Sequence, residues 1–150
     1  MRKAALTIVG ALHLVLLDAV AKEVAAALLK GRAAFRAIPG FLDFAYVENR
    51  GCAWGMFQGA VWPLAAFGIA AMGFVFWKRK AIFEGAALPE CLFYAGVAGN
   101  LIDRVFRGFV IDFIDFHAGD FWHFPCFNVA DVCITFSAGL LVLASFRKKA

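Results

Sequence analysis

Two short patterns of the same kind stand out in the chain, each an asparagine followed three residues later by an aspartate. Asn100 and Asp103 lie near the end of one apolar run, and Asn128 and Asp131 lie at the start of the next. Ionisable residues are costly inside a membrane segment and usually mark a functional site there. Two aspartates at one depth that face each other, about 3 Å apart, would share a proton, as in an aspartic protease. The pattern therefore predicts a hydrolase whose ionised carboxylate activates water while its protonated carboxyl donates to a carbonyl oxygen.

The composition predicts the membrane setting that these residues require. Of the 150 residues, 63% are hydrophobic, which is well above the share typical of soluble domains. Four apolar runs are each long enough to cross a ~30 Å hydrocarbon core as a helix. We expect a single all-α integral-membrane domain over 1–150, with helices at about 4–29, 60–77, 85–106 and 129–146 and outer loops at about 30–59 and 107–128.

The basic residues predict how the chain is oriented. They fall into three groups beside the apolar runs, at Arg2–Lys3, Lys78–Lys80 and Arg147–Lys149. With four spans all three groups lie on one side, so we expect both termini in the cytoplasm. The net charge of +4 is explained by these topology signals, and we expect no nucleic-acid partner.

The two outer loops carry a second structural signal. Residues 109–116 are rich in β-branched and aromatic side chains, which favours a short strand or hairpin, and residues 41–57 are candidates for its partner strands. We expect a small β-rich cap on the outer membrane surface.

Counting helical rise places the polar residues in one layer. Asp103 lies 19 residues after Glu84, about 28 Å of rise, and Asp131 lies 16 residues before Arg147, about 24 Å. Both aspartates are therefore expected near the non-cytoplasmic edge of the hydrocarbon core. By the same count Asp18 reaches that layer on the first helix, where it is expected to form an i, i+4 ion pair with Lys22.

Three other interpretations of the aspartates remain open from the residues alone. The first is a structural polar patch between helices, satisfied by Arg104 and Lys22. The second is a proton-coupled membrane transporter or channel subunit, in which paired aspartates relay protons. The third is an assembly subunit without catalysis.

The remaining chemical groups predict little. His117 and His123 lack a convincing third ligand, so no metal site is expected, and no cofactor is indicated. Cys52 and Cys126 fall in the two loops, and whether they pair is left open. Cleavage of a leader after Ala21 is disfavoured because charged residues flank the small ones.

Five separated blocks of the chain match a known family. The chain resembles the lipoprotein signal peptidases, also called signal peptidase II, over nearly its whole length. The matching blocks are Asp18 with Lys22, Asn49–Gly55, Gly99–Arg104, Val110–Phe113 and Phe127–Asp131.

The resemblance implies an aspartic endopeptidase of the bacterial inner membrane whose active site lies near the periplasmic face. Such enzymes remove the signal peptide from prolipoproteins, cutting before a cysteine that carries diacylglyceryl, and they are inhibited by globomycin-like cyclic peptides. By match of motif, Asp103 and Asp131 would be the catalytic dyad. The residues implied to surround or support it are Asn49, Gly51, Asn100, Arg104, Asp112, Asn128, Ala130, Asp18 and Lys22.

Overall fold

A computed structural model describes residues 2–119 and 121–147. The side chains of Arg2 and Lys3 and the whole of Lys148 and Lys149, which contribute to the predicted orientation, lie outside the described part. Four long helices carry a small antiparallel sheet at one end. The elements in chain order are α1 (Arg2–Leu29), β1 (Phe35–Ile38), β2 (Leu42–Asn49), a 3₁₀ turn (Ala53–Gly55), α2 (Val61–Phe83), α3 (Ala87–Arg107), β3 (Val110–Ala118), β4 (Trp122–His123) and α4 (Val129–Arg147).

The helices are arranged around α3, which packs against α1, α2 and α4. Its buried face consists largely of small or polar residues, among them Gly96, Gly99, Asn100 and Asp103. Within the described residues, three helices are long and apolar enough to cross a membrane, at Ala4–Leu29, Val61–Phe83 and Val129–Arg147. The fourth helix, α3, turns a polar face toward its neighbours, which explains why its mean hydropathy is lower than that of the other three.

The distribution of side chains is that of a membrane-type helical protein. Large apolar side chains such as Leu12, Phe67 and Leu143 are more than half exposed, whereas Asp18 and Lys22 are almost completely buried. This is the reverse of a soluble domain, in which charged residues are rarely buried.

The second helix is longer than the sequence predicted. It continues to Phe83 instead of ending near Trp77, so Lys78 and Arg79 belong to its last turns rather than to a loop. The apolar run ends at the first charge, but lysine and arginine are good helix formers, and their stems cover apolar surface. The Lys78 ammonium lies 3.8 Å from the Trp77 ring centroid. The helix ends where Glu84 adopts a left-handed conformation.

The predicted small sheet is present. Its strand order is β1-β2-β3-β4, with antiparallel neighbours. Alternation along β3 divides its side chains between two faces. Ile111 and Phe113 pack with Ala25 of α1 in the main apolar cluster, and Asp112 between them faces the opposite way.

Candidate active site

A single large cavity collects most of the polar residues that the sequence singled out. It has a volume of about 1150 Å³ and lies between α2, α3 and α4 beneath the loop that contains the 3₁₀ turn. Two carboxylates border it, those of Asp112 and Asp131. Its wall also carries polar side chains that include Asn49, Asn100, Arg104 and Thr135, and Trp54, Phe57 and Phe124 are among its aromatic residues. An apolar cavity with a few convergent polar groups is the usual form of a binding or catalytic site.

Asp131 is held by the start of its own helix. Asn128 precedes the first residue of α4; its side-chain oxygen accepts a 3.0 Å hydrogen bond from the Asp131 amide. In return Asp131 Oδ2 accepts a 3.2 Å bond from the Asn128 amide. These reciprocal bonds are a capping box, here built from asparagine and aspartate. They fix the carboxylate at the positive end of the helix dipole.

Asn100 links α3 to the same carboxylate. Its Nδ2 donates to Asp131 Oδ1 at 2.7 Å, and its Oδ1 accepts from Lys22 Nζ at 3.2 Å and from Asn128 Nδ2 at 3.1 Å. A donor and an acceptor at one side chain thus connect the cavity wall with the buried lysine of α1. This use of both ends of the amide also defines its orientation.

Asp112 comes to the cavity from the sheet. Its Oδ2 accepts a 2.9 Å bond from Asn49 Nδ2, and its Oδ1 accepts a 2.7 Å bond from Asn128 Nδ2. Burial, followed by the negative charge of Asp131, raises the pKa of Asp112 to about 7. The hydrogen bonds from Asn49 and Asn128 act in the opposite direction and are outweighed. Two neighbouring carboxyl groups, one with a pKa near neutral pH, form an arrangement that can supply both an acid and a base.

Asp103 lies in a different environment. Its Oδ2 contacts Lys22 Nζ at 3.0 Å and accepts from the Ile111 amide at 3.2 Å. Its Oδ1 accepts from Arg107 Nε at 2.9 Å. Both oxygens are thus occupied, and Asp103 is not among the residues that line the cavity. Because Ile111 directly precedes Asp112, this carboxylate anchors the strand that carries the cavity's second acid.

The predicted Asp18–Lys22 ion pair is present and connects three helices. Lys22 Nζ lies 2.7 Å from Asp18 Oδ2, and Asp18 Oδ1 accepts a 2.8 Å bond from the Ala130 amide in the first turn of α4. Gly99 of α3 makes room for this contact, because a Cβ atom there would lie 2.6 Å from Asp18 Oδ2. The glycine therefore allows α1, α3 and α4 to meet at the level of the cavity.

The loop above the cavity is tied to the same network. Asn49 Oδ1 accepts a 2.9 Å bond from the Gly51 amide, so Asn49 joins the loop to Asp112. Arg104 donates to the Gly51 carbonyl at 3.1 Å. Trp54 and Phe57 have φ angles of 62° and 56°, a strained conformation for aromatic residues. Strain of this kind persists only where the surrounding structure imposes it.

The remaining candidate groups form no second centre in residues 2–119 and 121–147. The rings of His117 and His123 are stacked with centroids 4.9 Å apart, and no cluster of three or more His, Cys, Asp or Glu residues is arranged to hold a metal ion there. Cys52 and Cys126 both line the cavity and are unpaired, as are Cys91 and Cys133.

The sequence treats Asp112 as a supporting residue, and the structure places its carboxyl group on the wall of the same cavity as Asp131. Its local signal is weak, because a lone acid in an outer strand resembles an ordinary solvent-facing residue. The signal that was available is its position between two β-branched or aromatic residues, Ile111 and Phe113, within a strand expected to have one buried face.

Comparison with known proteins identifies the family of the chain and agrees with its fold. The family model for signal peptidase (SPase) II matches residues 10–147. A lipoprotein signal peptidase of Symbiobacterium thermophilum is 37% identical over 141 residues, which is 92% of each chain. One of Syntrophotalea carbinolica is 36% identical over 139 residues, covering 89% of this chain and 86% of the relative.

Solved structures give the same result. A bacterial membrane enzyme solved by the in meso method at 2.3 Å resolution has a TM-score of 0.78 and 31% identity, and the match covers 96% of this chain and 89% of that one. A second such structure, at 1.9 Å resolution, has the same TM-score and 29% identity. Since the family model and the relatives each cover most of the sequence, the chain belongs to the signal peptidase II family.

Proposed function

We propose that the cavity between α2, α3 and α4 is the catalytic site, and that Asp112 and Asp131 are its two catalytic carboxylates. As a signal peptidase II hydrolase, the chain removes signal peptides from prolipoproteins. We choose this pair because Asp112 and Asp131 border the same cavity and share Asn128 as a hydrogen-bond partner. The charge of Asp131 also contributes to the raised pKa of Asp112.

The proposed reaction uses the two acids in opposite protonation states. Ionised Asp131 removes a proton from water as the water oxygen attacks the scissile carbonyl carbon. Protonated Asp112 donates to the carbonyl oxygen, which gives a tetrahedral diol. Asp131 then passes its proton to the amide nitrogen, Asp112 regains a proton from a diol hydroxyl, and the carbon–nitrogen bond breaks.

Asp103, which the sequence predicted as one of the pair, takes a positioning role in this proposal. Its two oxygens are bonded to Lys22, Arg107 and a backbone amide, and the residue does not line the cavity. Its bond to the Ile111 amide instead holds β3 so that Asp112 faces the cavity. Asn100, Asn128 and Asn49 orient the two acids.

For the membrane arrangement we propose four spans, with both termini in the cytoplasm of a bacterial cell and the sheet as a cap on the periplasmic surface of the inner membrane. Since α3 begins at Ala87, Asp103 lies 16 residues into it, about 24 Å. Asp131 lies the same 16 residues from Arg147 at the end of α4, so the two counts agree. Labelling of a cysteine introduced at Lys78 from the periplasmic side would contradict this orientation.

The proposed substrate is a prolipoprotein whose cysteine already carries diacylglyceryl, cut on the N-terminal side of that cysteine. Two acyl chains hold the cysteine at the membrane surface, at ~0.8 kcal/mol for each buried methylene. The scissile bond is then presented at the depth of Asp112 and Asp131. Globomycin-like cyclic peptides are proposed to inhibit by occupying this cavity beneath Trp54 and Phe57.

We expect cleavage to depend on the lipid of the substrate. A diacylated prolipoprotein peptide should be cut at least tenfold faster than the matched unlipidated peptide in the same nanodiscs, because anchoring raises the local concentration of the scissile bond. Mass spectrometry of the products measures both rates. Equal rates would contradict the lipid-anchored substrate and leave the carboxylate assignment unaffected.

The pH dependence of cleavage reports on Asp112. A pKa of about 7 means that this carboxyl is protonated below pH 7 and ionised above it. Because the proposed acid must be protonated, kcat/KM should fall as pH rises through about 7. Asn49→Ala removes a hydrogen bond that lowers the pKa, so the fall should move to higher pH. Asp115→Asn, a change three residues along the same strand, is the control, and it should leave the pH at which kcat/KM falls unchanged.

A further inference from the structure

A second cavity lies away from the aspartates, between α1 and α2. Both helices pack against α3, and the cavity between them has a volume of about 480 Å³. Its α1 wall extends from Ala4 to Val15, which is 11 residues or about 16 Å of helix. That length is about half of a ~30 Å hydrocarbon core, so the groove spans one leaflet.

The polarity of the groove changes along its length. Arg79 and Lys80, near the end of α2, lie at its mouth together with Glu90 of α3. Arg79 Nη1 is 3.9 Å from Glu90 Oε1, so the charges of these two residues offset each other. The Lys80 ammonium then gives the mouth a net positive charge. Beyond these groups the wall is predominantly apolar.

Tyr94 supplies an independent observation inside the groove. Its hydroxyl is buried and has no hydrogen-bond partner among the described residues, although the residue lines the cavity. Buried polar groups nearly always have a partner, so the hydroxyl points to a missing acceptor. Tyr94 follows Glu90 by one turn, so its Cα lies about 6 Å further from the charged mouth along α3.

We propose that this groove binds one anionic phospholipid of the leaflet opposite the aspartates. A phosphate meets Lys80 and Arg79 at the mouth, an ester carbonyl of the same lipid accepts from the Tyr94 hydroxyl, and an acyl chain fills the apolar remainder. The charged mouth, the Tyr94 hydroxyl and the apolar wall match the phosphate, ester and acyl parts of such a lipid. Basic groups near the membrane surface favour anionic lipids.

The test measures lipid-dependent stability of the full chain in detergent micelles. Phosphatidylglycerol should raise the Tm of the wild-type chain more than phosphatidylcholine with the same acyl chains, because a ligand of the folded state stabilises it. Inorganic phosphate at the same concentration should give no shift. Lys80→Gln and Tyr94→Phe should each weaken the apparent affinity for phosphatidylglycerol at least threefold while leaving cleavage of a standard substrate intact.

Lys78→Gln is the matched control, because Lys78 belongs to the same basic stretch but does not line the groove. It should keep the wild-type affinity. Equal Tm shifts with the two lipids would overturn the proposal. Equal losses of affinity for phosphatidylglycerol in Lys78→Gln and Lys80→Gln would also overturn it, because the lipid would then act through general charge attraction. A shift with inorganic phosphate alone would also overturn it, since the site would then bind a small anion.

Discussion

Asp112→Asn is expected to lower kcat/KM for prolipoprotein cleavage by about 10³-fold or more, while the chain stays folded. Asparagine nearly matches aspartate in shape, so the bonds from Asn49 and Asn128 to Oδ2 and Oδ1 can be kept in part. What disappears is the proton that the reaction needs at the carbonyl oxygen. Single-turnover cleavage assays, with the thermal unfolding curve as the folding control, measure the effect.

Comparison with the two other aspartates makes this test specific. Asp131→Asn should cause a loss as large as that of Asp112→Asn, because it removes the base. Asp103→Asn should cost less activity, and its residual activity should still fall as the pH rises, because Asp103 bonds to the Ile111 amide beside Asp112 and does not line the cavity. A stable Asp112→Asn protein with activity within tenfold of wild type would remove Asp112 from the mechanism.

Lys22→Met is expected to destabilise the folded chain by about 3–5 kcal/mol, the usual cost of removing one partner from a buried ion pair. The Lys22 side chain is 1% exposed and lies 2.7 Å from Asp18 and 3.0 Å from Asp103. Its loss leaves two carboxylates facing each other at the junction of α1 and α3, with Arg107 bonded to only one of them. Equilibrium chemical unfolding in micelles measures the change.

Lys30→Met is the matched control for this substitution. Lys30 also forms an ion pair, at 3.0 Å from Glu48, but its side chain is 59% exposed. Exposed pairs contribute little to stability, so this variant should unfold close to the wild type. If the free energies of unfolding of Lys22→Met and Lys30→Met differed by less than about 1 kcal/mol, the ion pairs of Lys22 with Asp18 and Asp103 would not stabilise the junction of the helices as proposed.

The helices were predictable because their signals are local. Long apolar runs that end in charges mark where α1, α2, α3 and α4 lie, and the i, i+4 spacing of Asp18 and Lys22 is enough to predict their ion pair. The partnership of β2 with β3 was also predictable from β-branched and aromatic content. The edge strand β1 was missed, since four exposed residues, Phe35–Ile38, show no burial pattern.

The two Asn-x-x-Asp patterns show where local signals stop. They look alike in the sequence, yet Asn128 and Asp131 form the capping box of α4, whereas Asn100 and Asp103 project from the interior of α3. Asn100 faces Asp131, while Asp103 bonds to Lys22 and Arg107. Spacing defines which residues share a helix face, but it does not define what that face meets.

The position of Asp112 depends entirely on contacts between distant parts of the chain. Phe127 bonds through its carbonyl to the amides of Phe113 and Ile114, at 3.0 and 2.9 Å, and this pairing brings β3 to the start of α4. Asp112 thereby meets Asn128 and is buried near Asp131, and its pKa rises because of that burial first and the charge of Asp131 second. Residue type and spacing were sufficient to predict a membrane hydrolase that uses paired aspartates. The choice of Asp112 and Asp131 as the proposed pair rests on the folded chain, because a shared cavity is a property of packing and not of sequence distance.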